Sequence, residues 1–365
     1  MPNVIPYGFE TIAHVIDDRL ITEVGIEEVA TATRISMELH NRVMNNLLDI
    51  FVMETTDYKR RFLTPHHASL QPIDPETGRA LPGRVGGHYD VGWPMKAGAY
   101  ALARTFRAVQ KMTMRELVRR VLTMQEADRR WVRTHLLAAL FTNVSWTFTD
   151  EEYGDVTVYP LANNDTVTYF KKGDADTPST DNHFLSQANN LGDGTDNMLK
   201  KLADTLREHP ENGDGEVVAF VPTNLEDEVM GLALFNDKID PNIRYGSASD
   251  ILSGTAPALG IGELIGYDAY SRTWVYRWDV MPSNYIIATV LGGEKPLAMR
   301  VHRNPSWRGF FEDYQREDAP FTEVQYKREM GLGAWNRVGA AIGQVSDANA
   351  TYDIPSGYNY STLPG

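Results

Sequence analysis

The stretch from Thr113 to Phe141 contains neither proline nor glycine, and it constrains the fold of the chain more than any other feature. Thr113 and Glu116 match a capping box, in which the two side chains satisfy backbone donors at the start of a helix. A helix over Met114–Phe141 would be about 42 Å long, well beyond the average helix of a globular protein. The apolar residues that recur at helical spacing are Leu117, Val121, Met124, Trp131, Leu136 and Leu140.

The polar side of this predicted helix is strongly basic. The whole chain is acidic, with 35 basic and 49 acidic side chains and a formal net charge of −14, which disfavours sequence-specific binding to nucleic acid. Two interpretations of the basic side stay open: a solvated helix face, or a stripe that faces an anionic polymer. Its arginines are Arg115, Arg119, Arg120, Arg129, Arg130 and Arg133, against Glu116, Glu126 and Asp128.

The segment before this helix is predicted to be a long extended hairpin. Five prolines and five glycines lie between Glu54 and Lys96, and they interrupt any helical or strand pattern. Strand-like pieces at residues 58–63 and 99–108 flank them. A loop of this length is uncommon within a compact domain, which favours a lid, a linker or an arm that packs on a neighbour.

Two further segments are predicted to be arms, and one to be a helix. Residues 1–25 have no clear hydrophobic period, and residues 346–365 are polar and contain two prolines; both are predicted to be extended. Residues 26–50 form an amphipathic pattern. Its narrow apolar stripe consists of Ala32, Ile35, Leu39, Val43, Leu47 and Ile50.

The remainder of the chain predicts an α+β fold. Residues 156–159 and 166–170 are rich in β-branched and aromatic residues on either side of a turn signal, which predicts a hairpin. A helix over residues 196–209, a strand over 216–221 and a helix over 223–234, capped by Thr223 and Glu226, predict a small α/β unit. Later strands are predicted at residues 263–267, 274–278, 285–291, 297–301 and 322–328.

No motif in the sequence predicts a reaction. Without cysteine there is no disulfide, thiolate nucleophile or zinc–sulfur site. His66 and His67 form the only adjacent histidine pair and lie in the proline-bounded loop, which predicts a loop surface and no metal site. Gly260 and Gly262 lack the strand-to-helix context of a phosphate loop and predict a turn. We therefore predict no enzyme activity, no cofactor and no metal, and the apolar runs are too short for a membrane span.

The order of these elements resembles that of a major capsid protein of tailed bacteriophages, with the Hong Kong 97-type fold. The run from Thr322 to Gly331, followed by Arg337, Val338 and Gly339, is similar to the final strand and glycine-alanine ending of that family. The resemblance implies an N-terminal arm (1–25), an extended β-hairpin loop (51–103), a peripheral domain (104–190) with the spine helix (113–141), an axial domain (191–296) and a return to the peripheral domain (297–345). The amphipathic helix (26–50) and the C-terminal arm (346–365) are predicted from the residues themselves; this helix and residues 144–190 are less typical of the family.

This resemblance implies a structural subunit that assembles into an icosahedral capsid around a double-stranded DNA genome. The implied partners are identical subunits in pentamers and hexamers, packaged DNA contacted without sequence specificity, and portal, scaffolding or cement proteins, with no membrane. The implied location is the virion, with assembly in the host cytoplasm. The residues expected to contact neighbouring subunits are Phe62, Leu63 and Trp93, and those expected to face the genome are Arg119, Arg129 and Arg133.

Other interpretations stay open at this stage. Some members of the family crosslink a loop lysine to an asparagine, and Lys59 and Lys96 lie in or near the predicted loop. An encapsulin-like nanocompartment would use the same fold to enclose protein cargo. A soluble hydrolase whose carboxylates converge only in space is the alternative from a different class.

Overall fold

The computed structural model describes residues 19–364, apart from residues 65–72, 74, 79–86, 151, 174–177, 214, 238–256, 258, 319–320 and 348–349. The helices are α1 (Ile21–Val24), α2 (Ile26–Leu48), α3 (Phe106–Lys111), α4 (Met114–Phe141), α5 (Met198–Arg207) and α6 (Glu226–Met230). The first eight strands are β1 (Val52–Thr55), β2 (Lys59–Leu63), β3 (His88–Gly92), β4 (Lys96–Thr105), β5 (Trp146–Asp150), β6 (Gly154–Val158), β7 (Phe184–Ser186) and β8 (Glu216–Val221). The others are β9 (Phe235–Asp237), β10 (Glu263–Asp268), β11 (Thr273–Arg277), β12 (Tyr285–Leu291), β13 (Leu297–Arg300), β14 (Phe310–Asp318), β15 (Phe321–Ala334) and β16 (Ala340–Gln344).

The predicted spine helix is confirmed as α4. It begins after Thr113, whose side chain accepts a hydrogen bond from the backbone N–H of Glu116 at 3.3 Å. Its last six residues, Leu136–Phe141, are all buried, because the C-terminal end runs through the main hydrophobic core. The N-terminal half packs against α2 and β15 in a separate cluster. The helix therefore joins two parts of the core.

A five-stranded sheet lies beside α4, with β15 at its centre. β4 pairs antiparallel with Phe321–Met330 of β15, β14 pairs with its other edge, and β13 pairs with its last four residues. β1 then adds in parallel to β13. Gly331 has a structural reason for being glycine, since a Cβ there would lie 2.5 Å from the carbonyl oxygen of Pro94.

A seven-stranded sheet has the order β7-β16-β12-β8-β11-β10-β9. Its central strands, β8 and β12, are buried almost throughout, and α5 covers one face with five buried apolar side chains. The predicted domain bounds assign β7 to the peripheral domain and β16 to the returning segment, yet both strands lie in this sheet. The sheet therefore extends beyond the predicted axial-domain bounds at both ends, because the partners of a short strand are set by long-range pairing that local sequence does not specify.

Residues 335–339 connect β15 in one sheet to β16 in the other. Arg337, which is 1% exposed, anchors this connection. Its guanidinium donates hydrogen bonds to the carbonyl oxygens of Pro160 at 2.7 Å and Leu161 at 3.2 Å, and to Asp165 Oδ2 at 2.5 Å. The connection is therefore a fixed part of the core and not a loose linker.

Two predicted hairpins pair differently in the structure. β2 pairs with β3, while β4, which covers most of the predicted strand 99–108, pairs with β15 instead; the last three residues of that segment, 106–108, belong to helix α3. β6 pairs with the preceding strand β5, and residues 166–170 make only an isolated bridge at Tyr169. A hairpin is therefore present within the predicted loop 51–103, but its second strand is β3 and not the segment 99–108. In the predicted hairpin 156–170, the first strand pairs with β5 instead.

Two helices differ from the sequence prediction in detail. In α2 the predicted stripe is only partly correct, because Val43 is 52% exposed while Met37, His40 and Met44 are buried. The predicted helix 223–234 is a short 3-10 turn followed by α6. Its Thr223 side chain donates to Asp279 at 2.8 Å instead of capping the helix.

Candidate assembly surfaces

One side of α4 presents a basic stripe. At about 100° of rotation per residue, its members project within a sector about 100° wide. They are Arg115, Arg119, Glu126, Arg129, Arg130 and Arg133, and we call this set the basic stripe. Arg119 and Arg130 are exposed, and the side chain of Arg133 is still 22% exposed.

The single acid of the basic stripe is shared between two arginines. Glu126 accepts hydrogen bonds from Arg129 at 3.0 Å and from Arg133 at 3.3 Å. Arg119 and Arg130 make no ion pair with any residue that the structure describes. Five arginines and one glutamate leave the stripe with a clear positive excess on an otherwise acidic protein.

Asp128 does not belong to the polar side of the helix, as the sequence analysis had assumed. It is 5% exposed and accepts a bidentate pair of hydrogen bonds from Arg328 of β15, at 2.6 and 2.8 Å, and one from His40 of α2 at 2.7 Å. Burial alone would raise the pKa of the Asp128 carboxyl, but the bonds to His40 and Arg328 outweigh it, and the pKa is lowered. This clamp joins α2, α4 and β15.

The helical phase of Asp128 could have revealed the clamp. At about 100° per residue, Asp128 lies on the same side of α4 as Val121 and Val132, which are both buried. An acid at a core position requires a buried partner. Its partners, at residues 40 and 328, are too distant in sequence for any local pattern to identify.

The β2–β3 hairpin carries two of the three residues predicted to contact neighbouring subunits. Leu63 is 67% exposed. Phe62 is half-buried; its ring stacks on Tyr89 and meets Trp335 edge-to-face, both at a ring-centre distance of 5.6 Å. Arg61 and Asp90 form an exposed bidentate pair across the strands, which lowers the pKa of Asp90. His66 and His67 lie outside the described residues.

Trp93 is the third predicted contact residue, and the structure contradicts the expectation that a single subunit leaves it in water. Its side chain is completely buried and stacks on Trp335 at 5.8 Å. Gly333 makes room for it, since a Cβ there would lie 2.9 Å from the indole ring. Trp93 therefore anchors the base of the hairpin to its own chain.

The predicted C-terminal arm also packs on its own chain where it is described, at residues 350–364. Tyr360 is 2% exposed, its hydroxyl accepts a hydrogen bond from the backbone N–H of Leu332 at 3.0 Å, and its own N–H donates to Thr142 at 2.8 Å. Tyr352 donates to the carbonyl oxygen of Phe141 at 2.7 Å. The sequence prediction of an extended arm is wrong here, because these aromatic residues cover the end of α4.

Lys96, one of the two lysines considered for crosslinking, is enclosed by this C-terminal segment. Its ammonium group donates to the carbonyl oxygen of Tyr360 at 3.0 Å and lies 4.7 Å from the centre of the Tyr360 ring. Burial lowers the pKa of Lys96 to about 8. Its position inside the subunit makes it unsuited to a bond with a neighbour, whereas Lys59 is exposed.

None of the helices in the described part of the chain is long and apolar enough to span a membrane.

Comparisons with known proteins identify the fold. No protein-family model and no curated protein matches the sequence. Among solved structures, the chain is similar to a protein of Mycobacterium phage Patience, with a TM-score of 0.68 and 20% identity over 92% of both chains. It also resembles the mature capsid protein of bacteriophage PhiM1 (TM-score 0.49, 8% identity, 80% of this chain and 84% of that one). An encapsulin from Synechococcus elongatus is less similar (TM-score 0.41, 10% identity, 82% and 86%).

The likeness to the Mycobacterium phage protein extends over nearly the whole of both chains. The sequence prediction of the fold class is thereby confirmed: the chain has the fold of a tailed-bacteriophage major capsid protein.

Proposed function

We propose that this protein is the structural subunit of an icosahedral bacteriophage capsid, which assembles from identical copies around double-stranded DNA. The observation that carries this proposal is the shared fold over 92% of both chains at a TM-score of 0.68. The proposal includes pentamers and hexamers of identical subunits, with portal, scaffolding or cement proteins as further partners. The corresponding location is the virion, with assembly in the host cytoplasm.

The arrangement of polar groups supports a structural role without enzyme activity. The carboxylate of Asp128 and the guanidinium of Arg337 are buried and form hydrogen bonds to distant parts of the same chain. A catalytic group must be able to reach a substrate, and these groups instead connect elements of the fold. Assembly of identical subunits is the function that such a scaffold supports.

The exposed part of the β2–β3 hairpin is proposed to contact a neighbouring subunit. Leu63 offers an exposed apolar side chain at the outer end of β2, and Phe62 presents the part of its ring that Tyr89 and Trp335 leave uncovered. Burial of such side chains on association stabilises an interface by roughly 25 cal/mol per Å² of apolar surface. Trp93 contributes indirectly, by fixing the base of the hairpin.

The basic stripe is proposed to face the packaged genome. Its positive excess suits sequence-independent neutralisation of phosphates, and Arg119 and Arg130 are exposed without an ion pair to a described residue. Arg129 and Arg133 add charge, although Glu126 reduces it. The rest of the chain is acidic and would repel DNA, so this basic face is the favourable place for DNA contact.

Purified protein should form closed shells in electron micrographs, and shells recovered from the natural host should contain double-stranded DNA. The expected result follows from the shared fold. A compact monomer at every protein concentration would contradict the proposal. Shells that contain protein cargo and no DNA would indicate an encapsulin-like compartment instead.

Replacing Arg119, Arg129 and Arg133 together with glutamine should reduce DNA retention in particles while empty shells still form. If each arginine neutralises one phosphate, the slope of the logarithm of the DNA-binding constant against the logarithm of the salt concentration should become less negative by about 2.7, or 0.9 for each lost contact. The measurement is the ratio of DNA-filled to empty particles after incubation at increasing salt.

Arg120 provides a matched control on the same helix. It pairs with Glu116 at 2.6 Å but points away from the basic stripe. Arg119→Gln alone should lower DNA retention, whereas Arg120→Gln should leave it near the wild-type value. Equal effects of the two variants, or equal loss of filled and empty shells in the triple variant, would count against a genome-facing role.

A further inference from the structure

Three buried side chains meet at the edge of the seven-stranded sheet, away from the surfaces described above. Asp181 Oδ2 lies 3.1 Å from His183 Nε2 and 2.5 Å from His209 Nε2, and the two histidine nitrogens are 3.2 Å apart. Both histidines are completely buried and Asp181 is 7% exposed. One oxygen and two nitrogens therefore form a small triangle inside the protein.

Hydrogen bonds on the outer side of each ring assign the tautomers. His183 Nδ1 lies 2.8 Å from the carbonyl oxygen of Ala340, and His209 Nδ1 lies 3.0 Å from that of Phe170. A carbonyl oxygen can only accept, so each Nδ1 carries a hydrogen and donates it. In the neutral ring the lone pair is then on Nε2, which points into the triangle.

The aspartate is also held from outside the triangle. Its second oxygen, Oδ1, accepts hydrogen bonds from the backbone N–H of Asn182 at 2.7 Å and from Lys171 at 3.0 Å. Oδ2 remains for the two histidines. When both histidines are neutral, three acceptor atoms face one another, an arrangement that is costly inside a protein unless a cation, either a proton or a metal ion, lies between them.

We propose that Asp181, His183 and His209 bind a divalent transition-metal ion, with zinc as the best-suited ion. Two imidazole nitrogens and a carboxylate oxygen are ligands that zinc accepts, and a tetrahedral site with bonds of about 2.0–2.1 Å separates its ligands by about 3.3 Å. Two edges of the triangle, at 3.2 and 3.1 Å, already match. The third edge, between Asp181 Oδ2 and His209 Nε2, is 2.5 Å long. These two atoms must move apart by about 0.8 Å when the ion binds.

The outer hydrogen bonds are those that metal-binding histidines need. A histidine ligand almost always donates its other ring N–H to a carbonyl or carboxylate, which fixes the ring and its tautomer; both rings do so here. A water molecule can fill the fourth position, since three protein ligands leave one open. The burial of the site points to a structural ion and not to a catalytic one.

The ion would join parts of the chain that are far apart in sequence. Asp181 and His183 precede β7, His209 follows α5, and Ala340, which accepts from His183, begins β16. The segment before β7 has few regular strands, so a metal ion would fasten it to the sheet. The sequence analysis predicted no metal site, and this proposal revises that prediction.

Zinc content tests the proposal directly. Full-length protein, purified with no added chelator, incubated with equimolar zinc chloride and desalted, should retain about one zinc ion per chain in elemental analysis. Magnesium and calcium should not compete, because they prefer oxygen ligands. Zinc at a hundredfold excess over its dissociation constant should also raise the melting temperature by about 3–4 °C relative to chelator-treated protein.

Variants separate this site from nonspecific binding. His209→Gln and Asp181→Asn should lose the bound zinc, whereas His40→Gln, which removes another buried histidine bonded to an aspartate, should retain it. If neither site variant folds, X-ray absorption of the zinc-loaded wild type decides, with two imidazole ligands expected. Absence of zinc from the wild type, retention of zinc in folded site variants, or a shell of oxygen ligands alone would overturn the proposal. None of these outcomes depends on whether the protein forms shells.

Discussion

Replacing Arg328 with methionine should destabilise the subunit by about 3–5 kcal/mol, because it leaves Asp128 as a buried charge without its main partner. Arg328 is 3% exposed and donates two of the three side-chain hydrogen bonds that Asp128 receives. For a chain of this length the loss corresponds to a fall in melting temperature of about 4–6 °C. Calorimetry at one fixed protein concentration measures it, since assembly makes apparent stability depend on concentration.

Two controls identify the buried charge as the cause. Arg61 and Asp90 have the same bidentate geometry at the surface, so Arg61→Met should change the melting temperature little. The double variant Asp128→Leu, Arg328→Met should be more stable than Arg328→Met alone, because it removes the unpaired charge. A double variant as unstable as the single one would show that packing, and not charge, is responsible.

The effect of Arg328→Met should also depend on pH. The pKa of Asp128 is lowered in the folded protein, so the network stabilises the fold above the pKa of the unfolded carboxyl, and this contribution is lost as the pH falls through the folded-state pKa. The difference between wild type and Arg328→Met should therefore shrink in acid.

Replacing Tyr360 with alanine should cost about 3–5 kcal/mol, as expected for removal of a large aromatic side chain from a core. Tyr360 is 2% exposed, fits beside Trp146 and His135, and supports the end of α4. Tyr360→Phe keeps the ring but leaves the N–H of Leu332 without its acceptor, which should cost about 1–3 kcal/mol. Both values are measured as falls in melting temperature at fixed protein concentration.

Tyr314 of β14 is the matched control for Tyr360, because it is also a tyrosine but its side chain is 47% exposed. Tyr314→Ala should have a small effect on the melting temperature. If Tyr360→Ala lowered the melting temperature as little as Tyr314→Ala, the C-terminal segment would not be part of the folded core. The extended arm predicted from the sequence would then be supported.

Elements with a strong local pattern could be predicted from the sequence. β12 was predicted at residues 285–291, as observed. A strand that is buried on both faces has a continuous run of apolar residues without polar alternation, and such a run is visible in the sequence. The spine helix was placed to within a residue, since its capping threonine and uninterrupted helical spacing are local signals.

What the sequence could not predict are the partners. The strand at residues 58–63 was recognised, but its pairing with His88–Gly92 depends on contacts formed only in the folded chain. Polar composition suggested that the C-terminal residues extend, although Tyr352 and Tyr360 bury their rings against the same subunit. The cluster of Asp181, His183 and His209 could not be predicted from local sequence, because His209 lies 28 positions after Asp181 and 26 positions after His183.

The short connection from β15 to β16 has a mechanical consequence. A single backbone segment passes directly from one sheet into the other, and Arg337 bonds this segment to the carbonyl oxygens of residues 160 and 161. The segment therefore has no loose length that could extend when a force pulls the sheets apart. Such a force must first rupture several buried hydrogen bonds in shear. A force that separates the two sheets is therefore carried by this buried connection.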